Sequence, residues 1–200
     1  MLNYIHSDFF YTEEEFISED ECEKLKKYIY DNKDKTDSLT ISNIGGWHSP
    51  LYDGKKALPE FEQLFELIEN KVKEIGDTFG LKVNLGIDNW WINVNGKHAY
   101  NQRHTHTRSL FSGVFYVQVP DNESGRIRFF PTSDDKHHFL EYFHINDESD
   151  LDRTVLSIGV VGMQPIDRQL VIFPSWLPHD TTPNLSDDDR IAISFNVKRV

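Results

Sequence analysis

The chain has 200 residues, a net charge of −12, nine histidines and a single cysteine. One cysteine excludes an intrachain disulfide and a thiolate metal cluster, so a bound metal must use His, carboxylate or carbonyl ligands. The acidic balance argues against broad attraction to nucleic acid or anionic lipid. A hydrophobic fraction of 38% is enough for a core at this length, which predicts one folded domain over residues 1–200.

The N-terminal part of the chain has helical patterns. Ser18-Glu19-Asp20-Glu21 is a capping box, in which a serine hydroxyl and a carboxylate bond the free N–H groups at a helix start. A second helix is expected to begin near Pro59 and to run through apolar residues at helical spacing to Phe79. We therefore predict a mainly helical support over residues 1–80.

From residue 81 the pattern changes to short strands rich in β-branched and aromatic residues, separated by Gly, Pro, Asp and Asn. The candidate strands are 81–87, 90–94, 110–119, 126–130, 155–161, 170–173 and 191–197. A polar stretch near 131–152 interrupts them and indicates a long loop or insertion. Helices precede many strands without βαβ alternation, so the predicted class is α+β, mainly β, with helices packed on a jelly roll or barrel over 81–200.

Three histidines are candidate metal ligands. His104 and His106 lie just before a strand, and in an extended segment residues i and i+2 project from the same face. His179 follows a distant apolar strand. An open metal site in a β-barrel takes two ligands from one strand and a third from a distant one, so we expect the three side chains to converge. The His-x-His pattern is short, and a solvated or hydrogen-bonded histidine pair also fits it.

Arg190 adds a second kind of chemistry. It follows His179 by 11 residues, since 190 − 179 = 11, and it opens an apolar strand. A guanidinium beside a metal site can form a bidentate pair with the carboxylate of a ligand. A surface ion pair with one of the aspartates at 187–189 is the alternative.

Four segments of the chain together resemble one protein family. They are Asn101-x-x-His104-x-His106, Ser112–Val117, Phe173–His179, and Arg190 with Ser194-Phe195-Asn196. This pattern is similar to that of small bacterial and phage members of the 2-oxoglutarate- and Fe(II)-dependent oxygenases, over residues 84–200. The resemblance implies a double-stranded β-helix (jelly roll) core that binds Fe(II) and uses 2-oxoglutarate as cosubstrate.

The resemblance also implies roles for single residues. His104 matches the first metal ligand of the family and His179 the distal one. Arg190 matches the basic residue that pairs with the far carboxylate of 2-oxoglutarate. The candidates for further hydrogen bonds to the cosubstrate are Tyr116, Ser194 and Asn93.

His106 departs from the usual pattern of the wider superfamily, which has Asp or Glu at this position and so completes a facial triad of two histidines and one carboxylate. Either His106 is a third ligand, or only two protein ligands bind and His106 lies behind them or contacts substrate. The spacing aims His106 at the metal and no carboxylate lies close by in sequence, so direct ligation is favoured.

The sequence thus predicts a dioxygenase that uses Fe(II) and 2-oxoglutarate to hydroxylate an unidentified small molecule or protein side chain, with release of succinate and CO2. Two other functions fit parts of the pattern. A zinc enzyme could use the same three histidines, although it gives Arg190 no necessary role. A non-catalytic jelly-roll binding module would make the His-x-His incidental.

The lengths of the apolar segments indicate where in the cell the protein is expected. No window approaches the about 18 to 20 apolar residues of a membrane span, and the N-terminus lacks the basic and apolar regions of a secretory signal. We therefore expect a cytoplasmic protein without a membrane or nucleic-acid partner.

Overall fold

The computed structural model describes residues 8–130, 132 and 160–200. The helices in these ranges are α1 (Glu19–Asn32) and α2 (Glu62–Thr78), with 3-10 turns at Lys33–Lys35 and Pro59–Phe61. The strands are β1 (Tyr11–Glu13), β2 (Asn43–Ile44), β3 (Trp47–His48), β4 (Tyr52–Asp53), β5 (Leu85–Asn95), β6 (Tyr100–Asn101), β7 (Phe111–Gln118), β8 (Ile127–Phe129), β9 (Val161–Met163), β10 (Leu170–Pro174), β11 (His179–Thr181) and β12 (Arg190–Arg199). Neither helix is long and apolar enough to cross a membrane.

The strands form one large and two small antiparallel sheets. The large sheet has the order β1-β10-β7-β12-β5-β3, and β4 also pairs with β5. The second sheet has the order β11-β8-β9, and β2 pairs with β6. The predicted mainly β class with N-terminal helices is confirmed.

Both faces of the large sheet are covered, as its central strand β12 shows. Ile191, Ile193 and Phe195 are fully buried in the hydrophobic cluster that the sheet forms with α1 and α2. Ala192 belongs to a second cluster, with residues of the β11-β8-β9 sheet such as Phe129. Because side chains alternate along a strand, one face supports the helices and the other faces a space between the two sheets.

The helix starts follow from local chemistry. The predicted capping box at α1 is confirmed: the Glu21 N–H donates to the Ser18 hydroxyl at 3.3 Å, and the Ser18 N–H donates to the Glu21 carboxylate at 3.0 Å. α2 begins three residues after Pro59, because Pro59–Phe61 forms a 3-10 turn first. Its last helical residue is Thr78, so the predicted end near Phe79 differs by one position.

The strand prediction for 81–87 is wrong in its first half. Residues 81–84 lie outside the strands, and the Leu81 N–H donates to the Gly76 carbonyl at 2.9 Å, which joins Leu81 to the C-terminal turn of α2. The second half joins 90–94 in the continuous strand β5. The N-terminal region also contributes β1, β3 and β4 to the large sheet, which the sequence did not predict.

Two predicted segments lie largely outside the described residues. Of the insertion near 131–152 only Thr132 is described, and of the strand 155–161 only its end, where β9 begins. The division into a helical support over 1–80 and a core over 81–200, within one domain, remains a prediction.

Replacing Gly113 with Ala should destabilise the fold. A methyl group at this position of β7 would collide with the Phe195 ring and lie 2.6 Å from the Val171 carbonyl oxygen, both in neighbouring strands. We expect the free energy of unfolding in urea to fall by about 1–3 kcal/mol, as overpacked cores do. Gly162→Ala is the control, because its methyl would lie 3.9 Å from the Arg128 Cγ. Equal effects in both variants would contradict this packing.

Candidate metal centre

Backbone pairing brings the three candidate histidines together. The His104 and His179 main chains exchange two hydrogen bonds of 3.0 Å each, and the His106 N–H donates to the Ser175 carbonyl at 2.9 Å. The segment 104–106 therefore lies beside the segment 175–179, at the start of β11. Residues 73 positions apart in sequence become neighbours, since 179 − 106 = 73.

The imidazoles are arranged as a ligand set. Their potential ligand nitrogens all lie within 4.8 Å of one another, and the Nε2 atoms of His106 and His179 are 3.3 Å apart. The Nδ1 atoms of His104 and His179 bond the carbonyls of Gln102 at 2.7 Å and Leu177 at 2.9 Å. A carbonyl accepts, so each Nδ1 carries the proton and each Nε2 is left with a lone pair, as in many metal-bound histidines.

Burial keeps these imidazoles neutral. Loss of hydration lowers the pKa of His106 to about 3, with a further contribution from His179 and His104. It likewise lowers the pKa of His179 to about 4 and that of His104 below its usual value. Neutral imidazole is the form that binds a metal, so the site is ready for a cation at neutral pH.

Within the described ranges, the only cluster of three or more potential ligands is made of these histidines and has no carboxylate. Asp180 follows His179 and is buried, but both of its oxygens accept hydrogen bonds of 2.7 Å from Arg128. The candidate ligand set is therefore three neutral nitrogens. Imidazole ligands suit zinc, copper, iron and nickel alike, so the ligands alone do not select the metal.

Arg190 lies in the same cavity as the histidines and is 2% exposed. Its guanidinium donates to the Ser124 carbonyl at 2.8 Å and to the Thr181 hydroxyl at 3.1 Å. It has no carboxylate partner among the described residues, so the ion pair expected with Asp187–Asp189 as an alternative is absent there. A buried cation without a counter-charge is costly, and an anionic ligand in the cavity would compensate it.

Gly125 makes room for this guanidinium. It has a φ of +85°, which favours glycine, and a methyl group there would lie 2.7 Å from the Arg190 Nη1. The same methyl would also lie 2.9 Å from the Pro183 carbonyl oxygen. The turn before β8 therefore needs a glycine to let the buried arginine reach the cavity.

All seven residues predicted for the site line this one cavity: His104, His106, His179, Arg190, Ser194, Tyr116 and Asn93. Burial raises the pKa of Tyr116 to about 12, against the opposing effect of Arg190, so its hydroxyl keeps the proton and can donate. The Asn93 side-chain N–H donates to the Ser194 hydroxyl at 3.2 Å. The Asn93 Oδ1 is buried and has no partner within the described part of the chain.

Asn95 and Thr181 also line the cavity, and neither is among the predicted site residues. Asn95 is 2% exposed and its Cα pairs with that of Arg190 across β5 and β12. Thr181 bonds Arg190 directly. Asn95 lies two positions after the predicted Asn93, and Thr181 lies two positions after the predicted His179. Alternation of side chains along a strand is therefore the signal that could have found them.

The metal-free protein should lose stability as the pH falls from 6.5 towards 4. Unfolded histidines take up a proton near pH 6.5, whereas the folded-state pKa values of His106 and His179 are about 3 and 4. Over this window the unfolded chain binds more protons, so the free energy of unfolding decreases by at most about 1.4 kcal/mol per pH unit for each histidine.

Urea unfolding of chelator-treated protein at several pH values measures this slope. His106→Gln removes one titrating group and should flatten the slope, while the contribution of acidic residues stays the same. Identical slopes in the two proteins would contradict the lowered pKa of His106.

Comparison with solved structures gives the fold. A prolyl-4-hydroxylase from Pseudomonas putida is similar at a TM-score of 0.68 and 14% identity, over 97% of this chain and 94% of that one. HygX from Streptomyces hygroscopicus, with nickel and 2-oxoglutarate bound, is similar at 0.64 and 13%, over 96% and 84%. The viral collagen prolyl hydroxylase of Paramecium Bursaria Chlorella virus-1 is similar at 0.60 and 13%, over 96% of each chain. The predicted jelly-roll core is confirmed.

Comparison with protein families gives the class of enzyme. The family described as "Putative 2OG-Fe(II) oxygenase" matches residues 89–196, which is more than half of the chain and contains all seven predicted site residues. No curated protein matches. The chain belongs to this family, and its activity depends on Fe(II) and 2-oxoglutarate.

Proposed function

We propose that this oxygenase hydroxylates an organic substrate, with Fe(II) held by His104, His106 and His179 and with 2-oxoglutarate held by Arg190. One observation carries the proposal: a single cavity is lined both by three neutral imidazoles and by a buried guanidinium without a described carboxylate partner. The three imidazoles can bind a metal cation, and the guanidinium can bind an anionic ligand next to it.

The two other functions leave part of this cavity unexplained. Three neutral imidazoles suit zinc equally well, but a zinc enzyme has no need for Arg190. A non-catalytic binding module has no need for three convergent imidazoles, two of which have tautomers fixed by carbonyl groups. Family membership favours the oxygenase over both.

The protein's own contribution is orientation and exclusion of water. When bound, Fe(II) supplies the chemistry that converts 2-oxoglutarate and dioxygen to succinate and CO2, with one oxygen atom inserted into a substrate C–H bond. Arg190 and the protonated Tyr116 would donate hydrogen bonds to the far carboxylate and so fix the direction of the oxo acid. Ser194 and Asn93 offer a hydroxyl and a carboxamide beside them. The apolar walls are Val114, Ile127, Phe173 and Ala192, which keep water from this end.

His106 serves as the third ligand in this proposal. Its Nε2 lies 3.3 Å from that of His179, which is a separation that a shared metal can bridge with two ordinary bonds. A set of neutral ligands adds no negative charge to the centre. The metal therefore keeps more positive charge, which favours the anionic oxo acid.

The substrate class and the location stay as proposed from the sequence: a small molecule or a protein side chain, in the cytoplasm, and no nucleic acid. The net charge of −12 supports the exclusion of nucleic acid. Proteins of similar fold have been solved with both classes of molecule bound, hygromycin B in HygX and a peptide fragment in the prolyl hydroxylase of Trichoplax adhaerens.

The protein should form succinate from 2-oxoglutarate only when Fe(II) and oxygen are both present. Without oxygen, adding Fe(II) and 2-oxoglutarate to the apo-protein should give a charge-transfer absorption band, and admitting oxygen should then yield succinate slowly even without substrate. His179→Ala is the control and should give neither signal. Folded, iron-loaded wild type that gives neither signal would overturn the proposal.

Arg190→Met should weaken 2-oxoglutarate binding by about 2–5 kcal/mol, which is at least about 30-fold in Kd, because a buried carboxylate would lose its charged partner. Arg199→Met is the matched control, since it makes the same change at the exposed end of the same strand. Titration of the Fe(II)-loaded proteins without oxygen measures both. An unchanged Kd in Arg190→Met would remove Arg190 from the proposed role.

A further inference from the structure

His106 is oriented differently from the other two histidines. The rings of His104 and His179 are each held by an Nδ1–H bond to a backbone carbonyl. No such bond to the His106 Nδ1 occurs within the described residues. Instead its ring stacks on the indole of Trp91, with ring centroids 5.6 Å apart and planes 28° apart.

The indole has a second aromatic neighbour. The buried ring of His48 stacks on Trp91, with ring centroids 5.7 Å apart and planes 7° apart. His48 cannot turn freely, because its Nδ1–H donates to the Ser49 carbonyl at 2.6 Å and its strand β3 pairs with β5. His106 also has a second neighbour, the nearly parallel ring of His179, with centroids 5.1 Å apart and planes 9° apart.

Four rings therefore follow one another as near-parallel neighbours, in the order His48, Trp91, His106, His179, and we call this series the column. Stacked aromatic rings at the distances of its first three members attract each other, and each ring also blocks the rotation of its neighbour. His106 thus has an indole and a ligand imidazole as neighbours, and its Nε2 lies 3.3 Å from the Nε2 of His179.

We propose that Trp91 is the positioning residue for His106, and that stacking does for this imidazole what a carbonyl hydrogen bond does for the other two. This inference rests on the proposed metal site. Groups that orient ligands are worth about 10- to 100-fold in metal affinity, which is the effect expected for Trp91.

The neighbouring residue offers a matched control. Trp90 lies on the opposite face of the same strand, fully buried against Phe61 and Phe65 in the cluster that supports the helices. Replacing its indole removes the same atoms from the same strand without touching the histidine cluster. Trp90→Leu should lower the melting temperature and leave metal affinity as in the wild type.

The experiment measures Co(II) binding by absorption spectroscopy, without 2-oxoglutarate, in the wild type, Trp91→Leu, His106→Ala and the double variant. Trp91→Leu should weaken Co(II) binding by about 10- to 100-fold. Because Trp91 acts through His106, the double variant should bind Co(II) no more weakly than His106→Ala alone. Trp91→Phe keeps an aromatic face and should restore most of the affinity.

Three results would overturn the proposal: wild-type affinity in Trp91→Leu, an equal loss from that change in the His106→Ala background, or an equal loss in Trp90→Leu. If Trp91→Leu fails to fold, His48→Leu tests the column from its outer end and should weaken Co(II) binding in the same direction; unchanged affinity in His48→Leu would then count against it. A wild type that binds no Co(II) would instead mark failure of the proposed metal site itself.

Discussion

The side chains of the central strand β12 alternate between two environments, the apolar cluster under the helices and the cavity. Its backbone pairs with β5 on one side and with β7 on the other, which fixes its register from both directions. Ile191 and Ile193 then enter the apolar cluster under the helices, and Arg190 enters the cavity. Because the side-chain period is two, a slip of one residue would place a guanidinium among apolar side chains. Register is therefore strongly specified.

The same constraint assembles the part of the cavity that we propose for the cosubstrate. Asn93 and Asn95 face the cavity from β5, and Tyr116 faces it from β7. Their side chains lie on the same face of the sheet as those of Arg190 and Ser194 on β12. These polar groups come from the middle of a rigid sheet, where a shift in one strand would disturb both neighbours. The buried arginine has no described carboxylate partner, so we expect it to reduce the stability of the apo-protein. In the complex with an anion the same arginine should add stability.

The candidate metal site is built differently. Its histidines come from segments at the margin of the sheets, joined by a few backbone hydrogen bonds between 104–106 and 175–179. Two of the rings are aligned by carbonyl groups and the third by stacking. The ring without a carbonyl bond among the described residues is thus supported in a different way. Trp91 on β5 links this support to the rigid part of the sheet.

Much of this could be predicted from the sequence, because it depends on local patterns. The capping box at Ser18 is a four-residue motif. The apolar strands β7, β10 and β12 are each visible within a short stretch of sequence. The strands β1, β3 and β4 have two or three residues each, too few to show a period. The stack of His48 on Trp91 joins residues that are 43 positions apart, since 91 − 48 = 43, and no local pattern reports such a contact.

In the proposed site, three imidazoles bind the metal and one buried arginine binds the oxo acid. The most direct test is a crystal structure grown without oxygen, with Fe(II) and 2-oxoglutarate added. We expect iron bound to the Nε2 atoms of His104, His106 and His179, with the far carboxylate of the oxo acid paired with Arg190. Iron held by only two of these histidines, or an oxo acid bound away from Arg190, would contradict it.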